Sequence, residues 1–545
     1  MNQPQLIIKT NPPTWLKILV IILIGLSIFF RFTNLGQKIY CGDENWTSVA
    51  ISGHTVAELQ QEAADSKGTI SITTFSKYQH INPERGVADT VNYLITSDPQ
   101  HPPLYYVLVR LWAQVFGDSP TGVRSLSGII SILTFPSIYW LCLELFDSAI
   151  VGWVAMALMA VSPLHLYFSQ EARQYSLWML EIIVSSAALL RAIRQENQSN
   201  WAIYSLTLAL GLYTHLFTVF IMIPHGIYII IQQQFRFHKT LINYLLATIV
   251  AFLMFLPWLN VIIKHLHTAI SLTSGYTIKW IDNPFELIAI FLIRLTRTFF
   301  DINLSLSLGL WSSLELEGPV IYTISELILS LILIIYLVYL FFNNSLNKPV
   351  ILVFLLGLIP GMLLIASDLF TGGIRSIQIR YQLPLCISLE ILVAYVLAFY
   401  IFQEKTWIHK ISQLMIVVLL IGGLISDVNF FKTSNWWIQS SSTLIKETSE
   451  FIKKLDKPLL VTNNSPINLG AILALSNYLP KLPLLPRADD DMRPIKQDYN
   501  QIVFMYNNSS LFHQIAEDEK YDLKVIRVLN PPPGGLWEFV KIAHK

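Results

Sequence analysis

The feature that most narrows what this chain can fold into is a succession of long, nearly charge-free apolar runs. They cover Trp15–Phe30, Gly122–Phe146, Ile150–Phe168, Tyr175–Leu190, Trp201–Tyr213, Leu216–Ile231, Leu241–Ile263, Ile321–Phe342, Val350–Ser367, Leu383–Ile401 and Ile411–Ile425. Each approaches the ~20 residues a helix needs to cross a bilayer core, so the expected fold is a polytopic α-helical membrane protein of about eleven transmembrane helices. Composition agrees. Only 13% of the 545 residues are charged and the mean hydropathy is +0.51, against roughly a quarter charged in soluble domains. A net charge of +1 gives no basic field for nucleic acid. The three cysteines form no disulfide framework: Cys142 and Cys386 sit in apolar runs and Cys41 beside an acidic pair.

Charge orients the spans. Lys9 and Lys17 flank the first run as in a signal peptide, but no small-residue cleavage pattern follows it, so it reads as a retained span with a cytoplasmic N-terminus. Alternation then puts Arg191, Arg194, Arg236, Lys239, Lys348, Lys405 and Lys410 in short inner loops, as the positive-inside rule asks. The remaining polar segments face outward. They are a long first loop (about residues 33–121), the turn 162–174, the segment 264–319, the loop 368–380 and the tail from Asp427. The reading is a plasma-membrane helical domain over residues 1–428 and a small soluble extracytoplasmic α/β domain over 429–545, where helix-like and strand-like patterns alternate. Within the outer loops, Leu104–Phe116 is an interfacial helix opened by Pro102-Pro103 and closed by Gly117. Pro284–Phe300 is expected to do likewise, with Arg294 and Arg297 three apart and facing anionic headgroups.

The residues capable of chemistry gather on that outer side. Asp43 and Glu44 emerge directly after the first span, where an ionised acid is cheap yet within reach of a membrane-borne substrate. His101-Pro102-Pro103-Leu104-Tyr105-Tyr106 fixes a histidine and two tyrosines at the interface, able to donate to phosphate or sugar oxygens. Glu171, Arg173 and Tyr175 in Ser169-Gln170-Glu171-Ala172-Arg173-Gln174-Tyr175 combine an acid, a bidentate cation and an aromatic ring. Arg375 and the pair Arg380-Tyr381 mark the fourth outer boundary, where an arginine either serves or snorkels to headgroups. Glu181, Glu326, Glu390 and Pro224-His225 lie inside apolar runs without a repeated pattern and read as structural pairs.

In their order and shared face, these pieces resemble the GT-C membrane glycosyltransferases, most nearly the bacterial branch related to protein mannosyltransferases and aminoarabinose transferases. The carrying residues are Asp43-Glu44, then His101 to Tyr106 with Phe116-Gly117 and Arg124, then Ser169 to Tyr175, then Arg380-Tyr381 with Pro384, across residues 15–425. The resemblance implies a GT-C-like fold with juxtamembrane helices in the first outer loop and transfer of a sugar from a polyprenyl-phosphate donor. The acceptor would be a glycolipid, a polysaccharide or a protein. It implies Asp43 as base of an inverting displacement, with Glu44 orienting the acceptor or helping to hold a cation. Arg173, Arg380 and Tyr381 would bind the donor phosphate, with His101 in support. Relatives acting on lipid A carry lysine where His101 stands and aspartate where Glu171 stands, which leaves the acceptor open. A divalent cation on Asp43, Glu44 and Glu171 stays open as well, with no ligand spacing to fix it. Asp489-Asp490-Asp491 reads as a solvated turn.

Two rival classes are an O-antigen ligase or polymerase and a transporter or flippase. The first usually keeps its key residues in a large late loop, whereas here the acids follow span one. The second calls for broken helices and midplane ionisable groups in two matching halves, a repetition this sequence lacks.

Overall fold

The computed structural model describes residues 11–66, 68–274, 284–301, 348–402, 407–434, 440–487, 499, 501–505, 521–529 and 537–544. Helix α1 (Thr14–Phe32) leads into four short helices, α2 (Asp43–Ser52), α3 (Val56–Asp65), α4 (Val87–Ser97) and α5 (Leu104–Phe116). The bundle continues with α6 (Pro120–Phe146), α7 (Ala149–Ala160), α8 (Pro163–Ser169), α9 (Tyr175–Gln195), α10 (Gln198–Thr214), α11 (Val219–Gln232) and α12 (Lys239–Lys264). After α13 (Leu266–Thr273) and α14 (Pro284–Thr296) come α15 (Lys348–Thr371), α16 (Leu383–Ile401) and α17 (Trp407–Lys432).

Seven of the described helices, α1, α6, α9, α12, α15, α16 and α17, are long and apolar enough to cross a membrane. The eighth candidate is α7 with α8, bent by 64° where Val161-Ser162-Pro163 interrupts the helix; α10 and α11 are shorter apolar helices. The protein is therefore a multi-pass helical membrane protein. The expected span at 321–342, Glu326 and the run Asp489–Asp491 lie outside the described residues. Local capping sets the helix starts. Ser119 caps α6 by accepting from the Gly122 N–H, with Pro120 in the first turn. Thr55 and Glu58 form a capping box on α3. Helix α5 runs from Pro103 to Gly117 and exposes Leu111, Val115 and Phe116 along one side.

The acids inside apolar runs divide. Glu390 lies 2.9 Å from His165 Nε2, both buried, and His225 is held between the Tyr204 and Ser186 hydroxyls. These are structural pairings of the kind expected. The expectation for α14 needs correction: Arg294 donates to the Ile377 carbonyl, and Arg297 is buried 3.9 Å from Asp301. Both are drawn into protein, Arg294 by the Ile377 loop carbonyl and Arg297 by the Asp301 carboxylate.

The tail adds α18 (Ser440–Ile452), β2 (Pro458–Asn463), α19 (Pro466–Ser476), β3 (Pro483–Arg487), β4 (Gln501–Met505), β5 (Tyr521–Leu529) and β6 (Trp537–His544). The sheet order is β1-β3-β2-β4-β6-β5, with β2 parallel to both β3 and β4 and the other pairs antiparallel. Its edge strand β1 (Ile70–Ser71) comes from the first loop, Ile70 facing Leu484 and Ser71 facing Pro483. A boundary after residue 428 thus divides segments that share one sheet. A single apolar cluster joins residues of α2 to α5 with Leu469, Ile472 and Leu473 of α19 and with Leu460, Leu484 and Val503 of the strands. First loop and tail form one cap over one end of the bundle.

Candidate active site

The site begins with Gly42. Its φ of 59° and ψ of −125° suit glycine alone, and the turn it makes starts α2 with Asp43 as first residue. Next to it, Glu44 goes the opposite way, into the protein. Arg124 of α6 grips Glu44 with two hydrogen bonds, Nε to Oε1 at 2.7 Å and Nη2 to Oε2 at 2.5 Å, while the Ala172 N–H donates to Oε1 at 2.9 Å. The two side chains are 1% and 0% exposed, and Arg124 also donates to the Leu35, Lys38 and Ile39 carbonyls. Glu44 therefore ties α1's exit, α2 and the 170s loop together. Where the sequence expectation sets Glu44 against the acceptor or a cation, the structure shows it paired with Arg124 and the Ala172 N–H.

Asp43 stays 39% exposed and takes a hydrogen bond from Arg380 Nη1 at 2.5 Å. Arg173, almost fully buried, reaches the Asp43 carbonyl and the Thr47 hydroxyl, each at 3.4 Å, and donates to His101 Nε2 at 3.0 Å. On the far side of His101, Nδ1 lies 2.8 Å from Asp98. Burial alone would hinder ionisation of Asp43, but the Arg380 and Arg173 guanidiniums and His101 outweigh it and bring the carboxyl down to about 2. Glu171 shows the reverse. Burial, then the Glu44 and Asp43 charges, push its carboxyl up to about 8 against the pull of Arg380 and Arg173. Its Oε1 accepts from the Tyr167 hydroxyl at 3.3 Å, and among the described residues its Oε2 has no hydrogen-bond partner. Two carboxyls in one neighbourhood are thus shifted in opposite directions, the pattern that separates a base from a hydrogen-bond donor.

The remaining sequence candidates divide. Tyr381 lies under Arg380, its ring centroid 5.4 Å from the guanidinium carbon, and 5.0 Å from the Phe217 ring. Tyr175 packs between Phe168 and His215. Tyr105, expected at the substrate, is fully buried with its hydroxyl 2.9 Å from that of Ser127 in α6. Arg375 joins no contact of the cluster and lies 3.5 Å from the Ser367 hydroxyl. Asp43, Glu44 and Glu171 do not converge as ligands, since the first is engaged by Arg380 and the second by Arg124. Among the described residues no group of three or more His, Cys, Asp or Glu side chains is set to hold a metal ion.

Several contributors were not singled out from sequence. Asp98 supports His101, Thr47 supports Arg173, and His215 enters from the α10–α11 junction; the available signal was a polar residue at an outer helix end. The cap takes part too. Asn45 donates to the Gly470 carbonyl at 3.0 Å and accepts from Gln79, which in turn accepts from Ser476. A Cβ on Gly470 would come 3.0 Å from the Trp46 ring, so this glycine lets α19 sit directly on α2. The helix that carries Asp43 is clamped from both sides, by Arg124 below and α19 above.

Known proteins bear on this arrangement. The model of the family described as dolichyl-phosphate-mannose-protein mannosyltransferase matches residues 100–260. ArnT from Cupriavidus metallidurans in the apo state matches in structure with a TM-score of 0.52 at 10% identity, covering 97% of this chain and 98% of that one. ArnT bound to undecaprenyl phosphate gives 0.49 at 10% identity over 96% and 97%. The Archaeoglobus fulgidus oligosaccharyltransferase in the apo form gives 0.48 at 13% identity over 87% of this chain and 65% of its own. No curated protein matches. The resemblance to GT-C glycosyltransferases read from the sequence is borne out.

Proposed function

We propose that this chain, GT-C-like in sequence and fold, is a glycosyltransferase that moves a sugar from a polyprenyl-phosphate donor to an acceptor at the extracytoplasmic face of the plasma membrane. The observation that carries the reading is the half-exposed Asp43 carboxylate, facing Arg380 and Arg173 where three separate segments meet at one end of the spans. An acid that must act on a lipid-borne substrate belongs at this depth, and paired guanidiniums suit a phosphodiester.

The step is an inverting displacement. The acceptor oxygen or nitrogen attacks the anomeric carbon; the bond from that carbon to the phosphate oxygen breaks, and its electron pair leaves with polyprenyl phosphate. The acceptor's proton passes to Asp43. In the arrangement described, Arg380 is committed to Asp43 and makes it a weak base. A donor phosphate competes for the same guanidinium. As Arg380 turns to it, the carboxylate loses its strongest partner and its proton affinity rises, so donor binding itself prepares the base. Arg173, held by Thr47 and the Asp43 carbonyl, stays in place to relieve charge on the leaving phosphate. Glu171, kept protonated by burial, presents a neutral hydrogen-bonding group to the sugar.

The test is release of polyprenyl phosphate by the purified protein in nanodiscs, with a panel of donor sugars and membrane extract as acceptor source. Turnover with one donor supports the reading and identifies the sugar. A folded preparation that consumes no donor, yet moves lipid-linked sugars across vesicles, overturns it in favour of a transporter.

A further inference from the structure

His215 was no part of the sequence constellation, yet it stands beside the site in a fully specified state. It ends α10 and opens the short 3-10 turn Leu216–Thr218, with its Nδ1 accepting the Phe217 N–H at 3.2 Å. In a neutral ring the proton must then sit on Nε2. The ring lies flat on Trp178, centroids 4.1 Å apart and planes 17° apart, and is bordered by Phe217 at 5.2 Å, Tyr175 at 6.2 Å and Tyr381 at 6.3 Å. Burial, then the nearby His101, Arg380 and Arg173, keep the ring from taking a second proton. Tautomer, plane and charge state are all fixed. His215 is 8% exposed, and among the described residues no protein atom accepts from Nε2.

An N–H that no protein atom among the described residues accepts is open to an oxygen from elsewhere. The charge around it selects which. Arg380 and Arg173 both act on His215, so the field at this spot favours an anion. A third cation there would repel the two guanidiniums; a neutral N–H adds a hydrogen bond without that cost. The stack on Trp178 holds the donor's plane fixed, and such a pre-oriented bond is worth most.

We propose that His215 is a donor-binding residue, its Nε2–H bonding the phosphate oxygen that takes up charge as the sugar departs. The N–H bond stays intact throughout. This rests on the glycosyltransferase reading, and the experiment separates the two. Binding of undecaprenyl phosphate, which carries no sugar, is measured in nanodiscs for wild type, His215→Phe and His215→Gln. Phenylalanine keeps the stack on Trp178 and lacks the N–H; glutamine lacks the ring and offers an amide N–H at similar reach.

The expected result is saturable binding by wild type, about tenfold or greater weakening in His215→Phe, and a smaller loss in His215→Gln. In turnover, the phenylalanine variant should raise the donor KM and leave the acceptor KM unchanged. Equal binding by wild type and His215→Phe overturns the assignment, as does a glutamine variant that falls as far as phenylalanine, since stacking would then be what matters. No saturable binding by wild type overturns the glycosyltransferase reading along with it.

Discussion

Asp43 and Glu44 are neighbours in sequence with identical chemistry, and the structure gives them opposite fates, which a pair of isosteric substitutions can separate. Glu44 and Arg124 are 0% and 1% exposed and doubly hydrogen-bonded. Removing one charge of such a pair strands the other in protein, at a cost of about 3–5 kcal/mol. Glu44→Gln should fall at the lower end of that range, because the amide oxygen still accepts from the Ala172 N–H. Asp43→Asn breaks a pair that is 39% and 18% exposed, where water compensates and the expected cost is about 1 kcal/mol or less. Thermal unfolding of both variants in one detergent is the assay. Adding Arg124→Gln to Glu44→Gln should recover part of the loss, since the stranded charge is then gone. A Glu44→Gln protein as stable as wild type but inactive would refute the reasoning and return Glu44 to substrate contact.

Other consequences are as direct. Arg380→Ala should weaken undecaprenyl phosphate binding about tenfold or more while sparing the acceptor KM, read by paired titrations. Gly42→Ala should cost about 1–3 kcal/mol, because φ of 59° with ψ of −125° is strained for any side chain, and should lower kcat by misaiming Asp43. For Glu171 the sign runs through linkage. Its carboxyl is raised from 4.5 to about 8 in the fold, so the native state holds a proton that the unfolded chain gives up. Wild-type stability should therefore fall as pH rises from about 4.5 to about 8 and level off above. Glu171→Gln, permanently neutral, should lack this slope, and melting temperatures across that pH range check it.

What was legible in the sequence follows from range. Apolar runs and the α5 boundaries are local: apolar length, Pro102-Pro103 and Gly117 suffice to read them, and the run Leu104–Phe116 matches the observed helix end for end. Most of the cluster was legible as well, because Asp43, His101, Arg173 and Arg380 each sit where a span meets the outer loops. What each residue faces was not. Whether Glu44 or Asp43 turned inward depended on Arg124, 80 positions away. Tyr105 looked the same as any interfacial tyrosine until Ser127 of α6 was opposite it. The two-residue strand β1 has no periodicity of its own and exists because β3 offers an edge more than 400 residues later. His215 lay with Thr214 in a two-residue interruption between two apolar runs, and its surroundings come from Trp178 and Tyr381 arriving from two other places beside the neighbouring Phe217.

The central claim is that Asp43 accepts the acceptor's proton as the sugar leaves polyprenyl phosphate. Its most direct test is single-turnover consumption of a bound polyprenyl-phosphate sugar by wild type and by Asp43→Asn, under conditions where both bind donor equally. A rate lower by about 100-fold or more in the variant, with unchanged donor binding and stability, is the predicted result. Consumption at the wild-type rate by Asp43→Asn would contradict it.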